Sequence, residues 1–86
     1  MMFTARVEVQ LKKGISDPEG NNILKALHLL GFDEVEDVSV AKVTRLVVSG
    51  DSEDVVRDRV EEMCQRLLTN PVIHDYTVEL QEDMDD

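Results

Sequence analysis

The sequence predicts an α+β domain of order β-α-β-β-α-β: a two-layer sandwich in which a four-stranded antiparallel sheet carries two helices on one face, ferredoxin-like or a near variant. Three patterns support this. Apolar and polar residues alternate through residues 3–11 and again through 72–80, the period of a half-buried strand. Residues 17–31 and 51–70 repeat their apolar side chains at helical spacing and are punctuated at both ends. Between these two helices lies a stretch rich in β-branched residues, a composition suited to strands.

In the first strand Phe3, Ala5, Val7, Val9 and Leu11 share one face, and Thr4, Arg6, Glu8 and Gln10 the other. The loop "KKGIS" leads into "SDPEGNNILKALHLLGF". There Asp17 is placed as the N-cap and Pro18 at the first helical position, where its missing N–H costs nothing. Gly31 ends the helix in a left-handed conformation. Ile23, Leu24, Leu27 and Leu30, with Ala26, form the stripe expected to be buried, and Lys25 and His28 fall on the far side. After the acidic connection "DEVED", Val38 and Val40 read as one strand and "VTRLVVSG" as the next, joined by a tight turn within residues 41–44.

The second helix is capped by Asp51 or Ser52, with Glu53 and Asp54 in the first turn, where the helix dipole favours anions. Asn70-Pro71 stops it. Val56, Val60, Met63, Cys64, Leu67 and Leu68 form its expected buried stripe. In the last strand Val72, His74, Tyr76, Val78 and Leu80 share one face, with Asp75, Thr77 and Glu79 opposite. A single domain therefore spans residues 1–80. The remainder, "QEDMDD" at 81–86, holds four acids in six residues and reads as a disordered tail.

With 86 residues and 9.7 kDa, the chain has room for one core. Area scaling leaves roughly 5,000 Å² exposed out of about 14,000 Å² in the unfolded chain, so the domain is only modestly stable and a partner subunit would add useful burial. Nine Lys and Arg against 19 Asp and Glu give a net charge of −10. That field repels nucleic acid, and Phe3, Phe32 and Tyr76 are too few aromatics for a base-stacking platform. No run of 18 apolar residues crosses a membrane, and residues 1–10 lack the basic start and apolar block of a signal peptide. The expected setting is cytoplasmic, which the lone Cys64 fits.

Catalytic constellations are not evident. Cys64 has no cysteine partner for a metal site, and His28 and His74 lie on different elements. Cys64 sits on an apolar stripe, where a thiol is ordinarily an inert hydrophobe. His28 reads as a surface histidine, and His74, among Val72, Tyr76 and Val78, as a core or interface one. The acids at 33–37 and along the second helix lack the burial or specific partners that tune carboxylates for proton transfer. "LKKGIS" has a glycine beside lysines, but neither phosphate-loop pattern. An acylphosphatase would need an arginine and a Gly-rich anion cradle in the first strand–helix loop; Arg6 lies mid-strand.

Taken together, "LKKGISDPEGNNILKALHLLGFDEVEDVSVAK" and "VEEMCQRLLTNPVIHDYTVEL" resemble the PurS family, the small subunit of formylglycinamide ribonucleotide amidotransferase, also called phosphoribosylformylglycinamidine synthase. The resemblance runs from about Phe3 to Leu80. Its most specific pieces are Asp17-Pro18 with Gly20, Ala26-Leu27 and Leu30-Gly31-Phe32, Val38 to Lys42, and Leu67-Leu68 followed by Asn70-Pro71-Val72-Ile73. Members often carry a glycine before the lysine aligned with Lys42; here the residue is Ala41.

The resemblance implies a division of labour in de novo purine biosynthesis. A glutaminase subunit releases ammonia from glutamine. A large synthetase subunit uses ATP and magnesium to activate the formyl amide oxygen of formylglycinamide ribonucleotide, and ammonia displaces phosphate to give the amidine. The small subunit implied here carries no catalytic group, cofactor or metal of its own. It joins the other two as a homodimer or higher homo-oligomer and supports ammonia transfer. Interface residues are expected at Lys42, Arg45, Asn70 and Pro71 for the larger subunits, and around His74, Tyr76 and Val78 for self-association through the open sheet face or the last strand's edge. The alternative from another class is an ACT-like module that binds a small molecule, for which "KKGIS" would be the ligand loop.

Overall fold

The structure is a computed structural model that describes residues 1–83. The elements are β1 (Met2–Leu11), α1 (Pro18–Leu29), β2 (Ala41–Ser49), α2 (Glu53–Met63) and β3 (His74–Glu82). The fold is α+β, but the sheet has three strands in the order β2-β1-β3, with both pairings antiparallel. The expected fourth strand and its tight turn are absent from the described residues. β2 pairs with β1 without interruption from Met2↔Ser49 to Gln10↔Ala41, so residues 41–44 are strand. Residues 38–40 form no strand; the Val40 N–H donates to Asp17 Oδ2 at 2.9 Å. Ala41 needs no glycine-like conformation, since no non-glycine residue among those described has positive φ.

β1 is the central strand, and its inner row, Phe3, Ala5, Val7 and Val9, is buried. Val56, Val60 and Cys64 of the second helical segment close over it, and Leu46, Val48, Tyr76, Val78 and Leu80 from the flanking strands pack around this cluster. α2 lies over β1 and β3. Ser52 is its N-cap, with Oγ accepting from Val55 N–H at 3.3 Å. A π-helical turn, Cys64–Leu68, finishes the segment, closed by Thr69, whose N–H and hydroxyl both donate to the Cys64 carbonyl. The wider turn shifts the angular order of the side chains. Leu68 therefore packs toward the core, whereas Leu67 is 82% exposed, which corrects its expected burial.

The larger correction concerns α1. Its ends match the sequence reading: Asp17 Oδ1 accepts from Gly20 N–H at 2.9 Å, and Pro18 occupies the first turn. Gly31 has φ 95, while Phe32 N–H reaches Leu27 O and Gly31 N–H reaches His28 O. This bond pair leaves fewer orphan carbonyls at the helix end. The stripe, however, is not buried. Ile23 is 40% and Leu30 73% exposed, Ala26 is exposed, Leu24 and Leu27 are only half-buried, and no α1 residue joins the core. Both helices were expected on one face of the sheet; α2 alone is packed there.

β3 also shifts. It starts at His74, leaving Val72 outside the strand and exposed. It ends at Glu82, so the expected boundary after Leu80 moves outward by two residues. Asp83 is held by its N–H to Met2 O at 2.9 Å and accepts from the Thr4 hydroxyl at 3.0 Å. The rest of the expected tail, residues 84–86, lies outside those described.

Candidate interaction surfaces

Asp17 and Gly20 form a clamp at the N-terminus of α1. One Asp17 oxygen caps the helix and the other holds Val40 N–H at 2.9 Å, so a single carboxylate fixes the start of α1 against the approach to β2. These two bonds, Gly20 first and Val40 second, hold its pKa below the ordinary carboxylate value. Gly20 is buried, and a Cβ there would run into the Val38 carbonyl oxygen. The sequence marked Asp17 as a cap; the clamp on Val40, 23 residues away, carries no local signal. His28 adds a second tie, donating from Nε2 to Val35 O at 2.7 Å.

The expected interface residues fall on three separate surfaces. Lys42 pairs with Val9 and so lies on the inner row of β2. It lines a hollow with Leu11, Pro18, Glu19, Leu68 and His74. Arg45 pairs with Arg6 on the outer face and lines a shallow depression with Thr4, Glu79 and Gln81. Positions 42 and 45 point to opposite faces because the strand is continuous. Arg6 is neutralised by Glu8 at 3.3 Å and Glu79 at 3.1 Å, ion pairs that contribute little stability at such exposure.

Asn70 and His74 build the turn into β3. Asn70 Oδ1 accepts from Val72 N–H at 3.0 Å, Asn70 N–H donates to His74 Nδ1 at 2.8 Å, and Asn70 O accepts from the His74 amide at 2.8 Å. Pro71 is exposed at the corner. Tyr76 and Val78 lie on the inner row against the core, and the Tyr76 hydroxyl donates to Glu61 Oε2 at 2.6 Å. That bond, followed by burial, raises the phenol pKa. Their side chains therefore face α2. The outer edges of β2 and β3 are both unpaired within the described residues.

Among the described residues no three His, Cys, Asp or Glu side chains gather at a metal-sized site. In the "KKGIS" loop the Lys12 N–H donates to Ile73 O and the Ile15 N–H to Lys12 O. Cys64 is fully buried, and burial, then Glu61, raises its thiol pKa, the opposite of a nucleophile's environment. No helix among the described residues is long and apolar enough to cross a membrane.

What these residues present is shaped surface, and comparison with known proteins gives it a context. Residues 4–82 match the PurS family, described as phosphoribosylformylglycinamidine (FGAM) synthase. The chain belongs to the PurS family. It is 45% identical over 80 residues to phosphoribosylformylglycinamidine synthase subunit PurS of Methanocaldococcus jannaschii, covering 93% of this chain and 96% of that one. It is 38% identical over 81 residues to the Bacillus subtilis PurS subunit, covering 94% and 95%. The crystal structure of M. jannaschii PurS superposes with a TM-score of 0.85 at 42% identity, covering 94% of this chain and 98% of that one. A chain in the structure of PurLQS from Thermotoga maritima gives 0.86 at 26% identity, covering 94% and 99%. The chain is thus the PurS subunit of FGAM synthase, of purine biosynthesis. The family match gives the ACT-like alternative no support.

Proposed function

We propose that this subunit is non-catalytic and bridges the glutaminase and synthetase subunits, supporting transfer of glutamine-derived ammonia between them. The likeness to a chain of the T. maritima PurLQS structure carries this reading. It is supported by a surface that displays Leu30, Leu67 and Val72 to solvent, as a chain working through contacts would. In this reading the subunit acts in the cytoplasm as a homodimer or higher homo-oligomer, and ATP and magnesium are used on the synthetase subunit. Lys42, Arg45 and the Asn70-Pro71 corner meet the larger subunits. Because Lys42 and Arg45 lie on opposite faces, they meet different surfaces.

The test is reconstitution. Purified glutaminase and synthetase subunits are mixed with and without this chain, and amidine formation is followed with glutamine or with free ammonia. The expected result is a large gain with glutamine and little with ammonia. An equal gain with both donors would refute a role in coupling. Charge reversal at Lys42 and at Arg45, tested singly, should weaken assembly; unchanged assembly in both would remove them from the interface.

A further inference from the structure

β2 departs from the acidic character of the rest of the chain. Its residues, AKVTRLVVS, include Lys42 and Arg45 but no Asp or Glu, in a chain that holds 19 of them. β1 and β3 both carry acids. Strand alternation sets Val43, Arg45 and Val47 in one row on the outer face of the sheet, away from α2. The two valines are open to solvent, Val43 at 43% and Val47 at 64%.

Arg45 lies directly across from Arg6, and like charges so placed repel. Arg6 is relieved by Glu8 and Glu79. Arg45 is not: among the described residues no carboxylate pairs with it. The depression of about 430 Å³ beside it has Glu79 as its only acid, and Glu79 is already engaged by Arg6. An arginine on an edge strand can simply deter chance pairing with other strands. That role leaves the valines unexplained, because exposed β-branched residues on an edge invite the very pairing that charge deters.

We infer that the row of Val43, Arg45 and Val47 is the contact surface for one of the larger subunits, and that its occupant is an element carrying an Asp or Glu between apolar side chains. This rests on the bridging role proposed above and states the chemistry of the partner. Charge complementarity selects such an occupant. A partner carboxylate gives Arg45 the forked ion pair that its own chain withholds and offsets the repulsion from Arg6, while apolar neighbours cover Val43 and Val47. Two copies of this chain meeting row to row would instead set Arg45 against Arg45.

The full-length chain is titrated into glutaminase and synthetase subunits with glutamine, ATP and magnesium, and the concentration that gives half-maximal amidine formation is read. Arg45→Glu should raise it by about thirtyfold or more, as for a charge turned against a partner carboxylate. Val47→Thr keeps a β-branched strand former and should raise it by about fivefold, through a hydroxyl covered where a methyl had been. Lys13→Glu makes the same charge change at an exposed loop residue and should alter it by about twofold or less. In the assembled complex a carbodiimide should couple the amine of Arg45→Lys to an Asp or Glu of a larger subunit, a cross-link absent from the parent and located by mass spectrometry. That measurement stands even if Arg45→Glu fails to fold. Coupling of position 45 only to a second copy of this chain, or to nothing, would overturn the inference, as would equal disruption by Lys13→Glu. A glutamine-specific gain that Arg45→Glu and Val47→Thr both leave unchanged would overturn it with the coupling role intact. A cross-link to a larger subunit in a mixture that gains equally from glutamine and ammonia would refute the coupling role alone.

Discussion

Replacing Gly20 by alanine sets two opposed effects against each other, and the geometry decides between them. Alanine favours a helix interior over glycine by about 1 kcal/mol, so propensity alone forecasts a more stable protein. Against this, the added Cβ would overlap the backbone oxygen of Val38 and stand 3.0 Å from Asp17 Oδ2. A flexible side chain can swing aside from such a collision, but a carbonyl cannot move without its chain. Overpacking against a fixed atom costs about 3 kcal/mol, the upper part of the usual range, which leaves a net loss of about 2 kcal/mol. Displacing Asp17 acts in the same direction, since both of its oxygens hold backbone amides. For a domain of this size the loss lowers Tm by about 8–16 °C. Thermal and urea denaturation of Gly20→Ala and the parent chain, at one fixed protein concentration, measure it, and faster exchange of the Val40 amide locates it. An unchanged or raised Tm would show that residues 38–40 yield freely, and the clamp would lose its standing as a rigid element.

Tyr76 is the only tyrosine, so ultraviolet titration reads it directly. Because its hydroxyl donates to Glu61, it should ionise above the usual value near 10; the stability this bond contributes is present below that pH and is lost as pH rises through the folded pKa. Tyr76→Phe should remove this alkaline dependence, and an unshifted titration in the native protein would contradict the bond. Asp17 has the opposite sign: its lowered pKa gives stability that is present above the unfolded value near 3.9 and is lost as pH falls through the lower folded value. Urea denaturation of the parent and Asp17→Asn across the acid range should show a steeper fall in the parent, whereas parallel curves would refute the assignment. Cys64, the sole thiol and fully buried, should react with a disulfide reagent only as fast as the chain opens; immediate modification under native conditions would contradict its placement.

Much of the fold was legible because it depends on local periodicity. The alternation around Val7 marked the buried row of β1, and Val56, Val60 and Cys64 marked the buried face of the second helix. Asp17, Pro18 and Gly31 located the ends of α1 because caps are chemistry between near neighbours. The failures have a common cause. The run from Val38 to Ser49 is β-rich throughout, and composition does not tell that Val40 gives its amide to Asp17 while Ala41 begins a ladder. Periodicity shows that Ile23, Leu27 and Leu30 share a side of α1 but not what covers that side. Leu67 was misplaced because a single π turn, with no mark in the sequence, exchanges the directions of neighbouring side chains. Among the candidate interface residues, Tyr76 and Val78 were legible as one row with the core, whereas Lys42 and Arg45 were separated by a strand continuity that the expected turn had hidden.

The position of β1 between both other strands has a consequence for biogenesis. Its second neighbour is β3, far away in sequence: Phe3 aligns with Glu82, and Thr4 reaches Asp83 across 79 positions. Contacts this distant slow the folding search, and that edge of the first strand must wait until residues 74–82 are made. Nascent chains cut short before residue 74 would therefore offer that edge to any passing strand, and stalled translation products of this subunit should be prime chaperone clients.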